Sequence, residues 1–196
     1  MKTDHLDFPE YGWGYLPPCP EVYAAFEYCQ KEYDPKNVLE IGFHLGHSTT
    51  YQLEIYKNAK IVTVSPEKEF GRKPYPEDII HYTNRSFAAE RMKRIYKERF
   101  TWMKGSTLSQ SVKENLSKSS FDFALVDGSH TYNDAVNDLD LMSKLNLKLC
   151  LCDNLEKLGV YYAMKDLNWK VVKEFEYETN FKQKKVIGRI GVISHA

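Results

Sequence analysis

An α/β fold, with a mostly parallel sheet doubly wound by helices, is the class this sequence predicts, and three observations predict it. From residue 37 onward, short β-rich runs alternate with segments of helical periodicity. The runs are apolar on both faces, as strands covered by helices on each side must be. The last two runs follow one another with no helix between them, so they should pair antiparallel. The expected result is seven strands with an antiparallel C-terminal edge strand.

The elements follow in order. Residues 1–20 are rich in aromatics, Gly and Pro (Phe8-Pro9, Tyr11-Gly12-Trp13-Gly14, Pro17-Pro18-Cys19-Pro20) and read as an irregular arm or lid. Glu21 to Lys31 carries Val22, Ala25, Phe26 and Cys29 at helical spacing. Asn37–Ile41 is a first strand ending at Gly42, and Ser48 to Tyr56 suits a helix with Ser48 as its cap. Ile61–Val64 is a second strand, stopped by Pro66, and Ser86 to Glu98 is helical. Phe100–Met103 makes a third strand and Thr107 to Leu116 a helix. Phe121–Val126 is a fourth strand, followed by a helix from Tyr132 to Leu145 marked by Ala135, Leu139 and Met142. Leu147–Cys152 is a fifth strand and Glu156 to Leu167 a helix; Trp169–Tyr177 and Val186–Ser194 are the final pair.

Composition narrows the function. At roughly 100–200 residues per domain, 196 residues predict one domain over 1–196. Lys+Arg and Asp+Glu are 27 each, so the formal net charge is zero. Broad, charge-driven binding to nucleic acid or an anionic membrane is therefore not expected. The basic run Arg91, Lys93, Arg94 and Lys97 lies beside Glu90 and Glu98 and reads as a solvated helix face. Mean hydropathy is −0.54, and no apolar run approaches the roughly 18 residues that span a bilayer. The N-terminus leads into no apolar signal core, so a cytoplasmic protein is expected. Cys150 and Cys152 share one strand face and read as small buried thiols.

In a sheet of this kind, ligands bind beyond the carboxyl ends of the strands, and every polar motif here sits at one. The first strand ends in Glu40-Ile41-Gly42-Phe43-His44-Leu45-Gly46-His47-Ser48-Thr49. Glycines permit close backbone approach to a ligand, and free N–H groups at a helix start attract carboxylate or phosphate. The G-x-x-x-G spacing is neither the dinucleotide fingerprint nor a P-loop, which disfavours a nicotinamide oxidoreductase. His44 and His47 read as surface or packing residues. The second strand ends in Ser65-Pro66-Glu67, where an acid commonly holds two ribose hydroxyls. The fourth and fifth end in Asp127-Gly128-Ser129-His130 and Asp153-Asn154. Adjacent strands lie about 4.8 Å apart, so these ends can converge. Asp127, Asp153 and Asn154 form a hard oxygen set suited to Mg²⁺. The same residue types serve equally as helix N-caps.

Over roughly residues 21 to 196 the chain resembles the class I S-adenosylmethionine-dependent methyltransferases. The resemblance rests on Val38-Leu39-Glu40-Ile41-Gly42-x-x-x-Gly46-x-Ser48, on Phe121-Asp122-Phe123-Ala124-Leu125-Val126-Asp127-Gly128-Ser129-His130, and on the terminal strand pair. Within that class it is most similar to small O-methyltransferases of the catechol and caffeoyl-CoA type and to related sugar and macrolide O-methyltransferase-like proteins. The resemblance implies a Rossmann-like sheet and S-adenosylmethionine as cofactor, with Glu40, Gly42, Gly46, Ser48, Ser65, Glu67, Gly105, Ser106 and Asp127 around it. Gly42 and Gly46 would line its methionine part, Ser48 would hold its carboxylate, and Gly105 and Ser106 would sit near adenine. Asp127, Asp153 and Asn154 would bind Mg²⁺ or another divalent cation. His130, with Asp127, would be catalytic, since it stands where catechol-type enzymes place a lysine base.

Two departures stand out. Ser65 replaces the ribose-binding acid, leaving Glu67 as a substitute, and the segment from Pro66 to Thr83 is longer than a minimal connection. It carries Tyr75, which with Trp13 and Tyr15 could close over an acceptor. The expected function is metal-assisted O-methylation of a small-molecule hydroxyl; a catechol, sugar, cyclitol or phenol all suit, and a homodimer is open. The alternative, motivated by Ser65, is a methyltransferase-like binding or assembly protein without turnover. Nucleic-acid methylation is disfavoured by the neutral charge and by the absence of an Asn/Asp-Pro-Pro-Tyr/Phe tetrapeptide after strand four.

Overall fold

A computed structural model describes residues 16–66, 76–181 and 184–195. The chain order is α1 (Pro20–Tyr33), β1 (Asn37–Ile41), α2 (His47–Ile55), β2 (Lys60–Ser65), α3 (Pro76–Tyr96), β3 (Phe100–Lys104) and α4 (Gln110–Leu116). It continues through β4 (Phe123–Val126), α5 (Tyr132–Lys144), β5 (Leu149–Asp153), α6 (Leu158–Asp166), β6 (Trp169–Phe181) and β7 (Lys184–His195). The seven strands form one sheet in the order β3-β2-β1-β4-β5-β7-β6.

Strands β1 to β5 are parallel, and the terminal pair lies at one edge as expected. Its internal arrangement adds a detail: β7 slots between β5 and β6 and runs antiparallel to both. The strand order reverses between β1 and β4, which places a topological switch point, and the crevice that accompanies one, at their carboxyl ends.

Alternation along the strands sorts the core into two layers. Val38, Ile61, Phe123, Leu125, Leu151 and Val192 face α1, α2 and α3, where they meet Phe26, Tyr51, Tyr56 and Met92. Leu39, Val64, Ala124, Cys150 and Ile193 face α4, α5 and α6, where they meet Val112, Leu139, Met142 and Ala163. Both faces are thus covered, which is why the strands read as continuous apolar runs. Cys150 and Cys152 are buried and free, and burial pushes both thiols up, out of reach of redox or nucleophilic use at neutral pH.

The largest boundary difference is α3, which begins at Pro76 rather than near Ser86. Its start signals are present in the sequence: Pro in the first turn, followed by Glu77 and Asp78, which suit the positive end of a helix. The terminal hairpin is also longer than its apolar runs, because Glu178, Thr179 and Lys185 extend a pairing that reaches Phe181 and Lys184. Among the described residues no helix is long and apolar enough to cross a membrane.

Arg99 fastens the end of α2 to the sheet. Its Nη2 donates to the carbonyls of Leu53 (2.7 Å) and Tyr56 (2.8 Å), and its Nε to that of Ala59 (3.0 Å). Leu53 lies in the last turn of α2, where carbonyls lack intrahelical partners, and Tyr56 and Ala59 lie in the turn that follows. Arg99→Ala is expected to cost roughly 2 kcal/mol, the scale of a lost charge-assisted hydrogen bond. Urea denaturation checks it: the midpoint falls while the slope stays the same.

Candidate active site

The β1–α2 turn is built around Gly42. Its φ is +100°, and a Cβ there would stand 1.9 Å from the carbonyl oxygen of Asp127. The Gly42 N–H donates to Val64 O (2.9 Å), and the Asp127 N–H donates to Ile41 O (2.9 Å). Glycine is therefore required by the protein's own backbone, since β1 and β4 end in direct contact. Gly46 is the N-cap of α2, and no side chain caps the N–H groups of that helix start.

Beneath this turn lies a buried acid. Glu40 is fully buried and accepts hydrogen bonds from Ser48 Oγ (2.5 Å) and Thr49 Oγ1. Burial pushes its carboxyl up to about 7, against the opposing pull of those hydroxyls and Thr63. Glu40 thus braces the start of α2 from within and presents no surface to a ligand. With its proton given to Glu40, Ser48 has none to offer a ligand carboxylate; the backbone N–H groups of the α2 first turn hold that capacity.

Asp127 and Asp153 do converge. Burial pushes the Asp127 carboxyl well above its ordinary range, and the charges of Asp153 and Glu40 push in the same direction. Burial likewise raises Asp153, opposed by donors from Tyr177 and Asn154. Tyr177 Oη donates to Asp153 Oδ1 (2.9 Å), and Asn154 Nδ2 donates to Asp153 Oδ2. Neither acid caps a helix: Thr131 caps α5 through the Asp134 N–H, and α6 starts after Lys157. The capping role open at the sequence level is thereby removed for both.

His130 shares a small cavity with Asp153, lined also by Val126, Gly128, Cys152 and Val160. Burial lowers its pKa, with Lys157 pushing the same way and Glu156 opposing, which favours the neutral ring. The loop is held by contact with α6, where a Cβ on Gly159 would stand 2.4 Å from His130 O.

At the far end, Ser65 is buried and its Oγ accepts from Trp102 Nε1 (3.2 Å). The Gly105 N–H donates to Ser65 O (3.0 Å), and Ser106 Oγ accepts from the Leu108 N–H (3.2 Å). Glu67, Tyr75, Trp13 and Tyr15 lie outside the described residues.

Three site-shaping residues escape sequence reasoning. Tyr177 is one. Asp138 is another: it is buried, accepts from Thr107 Oγ1 (2.6 Å), and burial pushes it up to about 6. It falls three residues after Ala135 and four before Met142, so its place on the apolar face of α5 was the available signal. Arg85 is the third: it is buried and joins the β1 and β2 loops, with Nε on His44 O (3.2 Å) and Nη1 on Pro66 O (2.6 Å).

Among the described residues no group of three His, Cys, Asp or Glu side chains is placed to hold a metal. The oxygen donors brought together are two carboxylates, with an amide beside them. Hard oxygen donors of this kind suit a divalent cation, and its charge would offset the burial of the two carboxyls.

A family model described as a methyltransferase domain matches residues 39–147. No curated protein matches the sequence. Among solved structures, an O-methyltransferase from Bacillus cereus in complex with SAH superposes with a TM-score of 0.64 at 14% identity, covering 94% of this chain and 84% of that one. The O-methyltransferase TomG from Streptomyces achromogenes, in complex with SAM, gives 0.60 at 14% identity over 92% and 82%. The SAH-bound methyltransferase PaMTH1 from Podospora anserina gives 0.56 at 15% over 89% and 78%.

Glu40 makes stability fall with pH. Its carboxyl binds a proton more tightly folded than unfolded, so its contribution is complete below about 4.5 and is lost as pH rises to about 7. A shift of this size is worth about 3 kcal/mol. Glu40→Gln is expected to flatten that part of the stability–pH curve, read from urea midpoints of both proteins across the window; parallel curves would count against it.

Proposed function

The chain belongs to the methyltransferase-domain family that its residues 39–147 match, and from that premise we propose that it transfers a methyl group from S-adenosylmethionine to a small-molecule hydroxyl. One observation carries this reading. Asp153 ends β5 and Asp127 directly follows the neighbouring β4, so the two acids meet beside the switch-point crevice, with His130 on the same cavity as Asp153.

The β1–α2 turn would hold the methionine end of the donor, with the uncapped N–H groups at the start of α2 facing its carboxylate. The acidic strand ends suit its positive sulfonium. His130 would take the proton of the acceptor hydroxyl; the donor would supply the methyl group, its C–S bond breaking with the electron pair kept on sulfur as S-adenosylhomocysteine. Asp127, Asp153 and Asn154 would hold a divalent cation, which when bound supplies Lewis acidity that lowers the pKa of the acceptor hydroxyl. Positioning of the two reactants and exclusion of water account for the rest.

A second reading, a binding or assembly protein without turnover, is favoured by Ser65. Its hydroxyl is engaged by Trp102, and it offers no charge to a ribose. Calorimetry separates the two. Binding of S-adenosylmethionine and S-adenosylhomocysteine supports the enzyme, and no binding of either at millimolar concentration supports the alternative.

With 3,4-dihydroxybenzoate as probe acceptor, His130→Ala is expected to lower turnover about 10²- to 10⁴-fold while S-adenosylhomocysteine affinity holds. A chelator should abolish wild-type turnover and added Mg²⁺ restore it. Full activity in excess chelator would remove the cation from the reading.

A further inference from the structure

We propose that Tyr177, admitted by Gly188, is a positioning residue that aims the Asp153 carboxylate into the crevice. The inference rests on the reading of Asp153 as a cation-holding acid of a methyltransferase.

The geometry is unusual because Tyr177 and Asp153 are not on neighbouring strands. Asp153 ends β5 and pairs with Ile190 of β7, while Tyr177 lies on β6, beyond β7, opposite Gly188. Gly188 and Ile190 are two apart and share a face of β7. To reach Asp153, the phenol ring must therefore cross over β7 at position 188. The space is available only because that residue has no side chain: a Cβ there would stand 2.4–2.7 Å from Tyr177 Cζ, Cε2 and Oη. Tyr177 is buried, and its hydroxyl ends 2.9 Å from Asp153 Oδ1.

The second carboxylate oxygen is held independently, by Asn154 Nδ2. Two donors, one on each carboxylate oxygen, thus fix the rotation of the Asp153 carboxyl group. Packing alone does not ask for tyrosine here. Phenylalanine fills the same space without burying a hydroxyl, a group that costs free energy unless it is bonded. Among the described residues, the hydrogen bond of that hydroxyl goes to the acid of the site. Outer-shell hydrogen bonds of this kind fix the orientation of metal-binding carboxylates, and their loss typically costs about 10–100-fold in metal affinity.

The experiment uses the full chain with Mn²⁺, followed by electron paramagnetic resonance, and S-adenosylhomocysteine, followed by calorimetry. Tyr177→Phe is expected to weaken Mn²⁺ binding roughly 10–100-fold and to leave S-adenosylhomocysteine affinity within about twofold. Gly188→Ala, which displaces the ring with its hydroxyl still present, should weaken Mn²⁺ likewise, and the double variant should lose little more than either alone. Tyr177→Phe with Mn²⁺ affinity within about twofold of wild type overturns the proposal. So does parallel loss of Mn²⁺, S-adenosylhomocysteine and the cooperative melt, because the hydroxyl would then serve stability alone. Wild type that binds S-adenosylhomocysteine but takes no Mn²⁺ overturns the cation site itself, and this inference falls with it; wild type that binds neither overturns the methyltransferase reading.

Discussion

The contact between Gly42 and the Asp127 carbonyl is the constraint on which the site depends. Paired strands ordinarily leave room for side chains at their ends. Here the turn after β1 presses its backbone onto the residue that follows β4, and the Gly42 and Asp127 N–H groups tie both to β2 and β1. Strand register carries the effect one strand further. Val126 pairs with Cys152, so fixing Asp127 against β1 also brings it beside Asp153. The crevice geometry is therefore a property of the backbone, and the side chains inherit it.

That inheritance has an electrostatic consequence. The chain is neutral overall, yet Glu40, Asp127 and Asp153 are gathered at one end of the sheet, and each is pushed upward by burial. Keeping like charges in a desolvated space is unfavourable unless protons, hydrogen bonds or a cationic ligand offset it. Glu40 is served by Ser48 and Thr49, and Asp153 by Tyr177 and Asn154. Asp127 is held against Asp153 itself, carboxyl to carboxyl, and a positive ligand at that pair would offset the burial of both acids. A sulfonium donor and a hard cation are both positive, and the proposed function draws on that complementarity.

The layers and the strand ends were legible in the sequence because they rest on local patterns. Two-sided apolar runs, Gly42 after Ile41, and acids after Val126 and Cys152 each follow from a few adjacent residues. Relations across the sheet were not legible. Ser48 reads as a cap or a ligand group, and only the depth of Glu40 shows where its proton goes. Tyr177 reads as one aromatic among 14 tyrosines, since its partner is 24 residues earlier and two strands away. Asp138 was hidden by its apolar neighbours, and the start of α3 by the treatment of 66–83 as a connection. The missed features are those whose meaning depends on burial, a quantity that a chain acquires only when it folds.

The insertion of β7 between β5 and β6 connects these points. A hairpin added in simple sequence order would place β6 beside β5, and Tyr177 would then face its own neighbour strand. With β7 inserted, β5 is covered along its whole length by an antiparallel partner, and β6 becomes the edge. The distance from β6 to Asp153 then exceeds one strand spacing, which excludes short side chains and selects a long, rigid one with a terminal donor. Tyrosine meets that requirement at low conformational-entropy cost, provided the intervening strand carries glycine at the crossing. The sequence supplies both, at 177 and 188, so the same hairpin that completes the sheet also reaches the acid that ends β5.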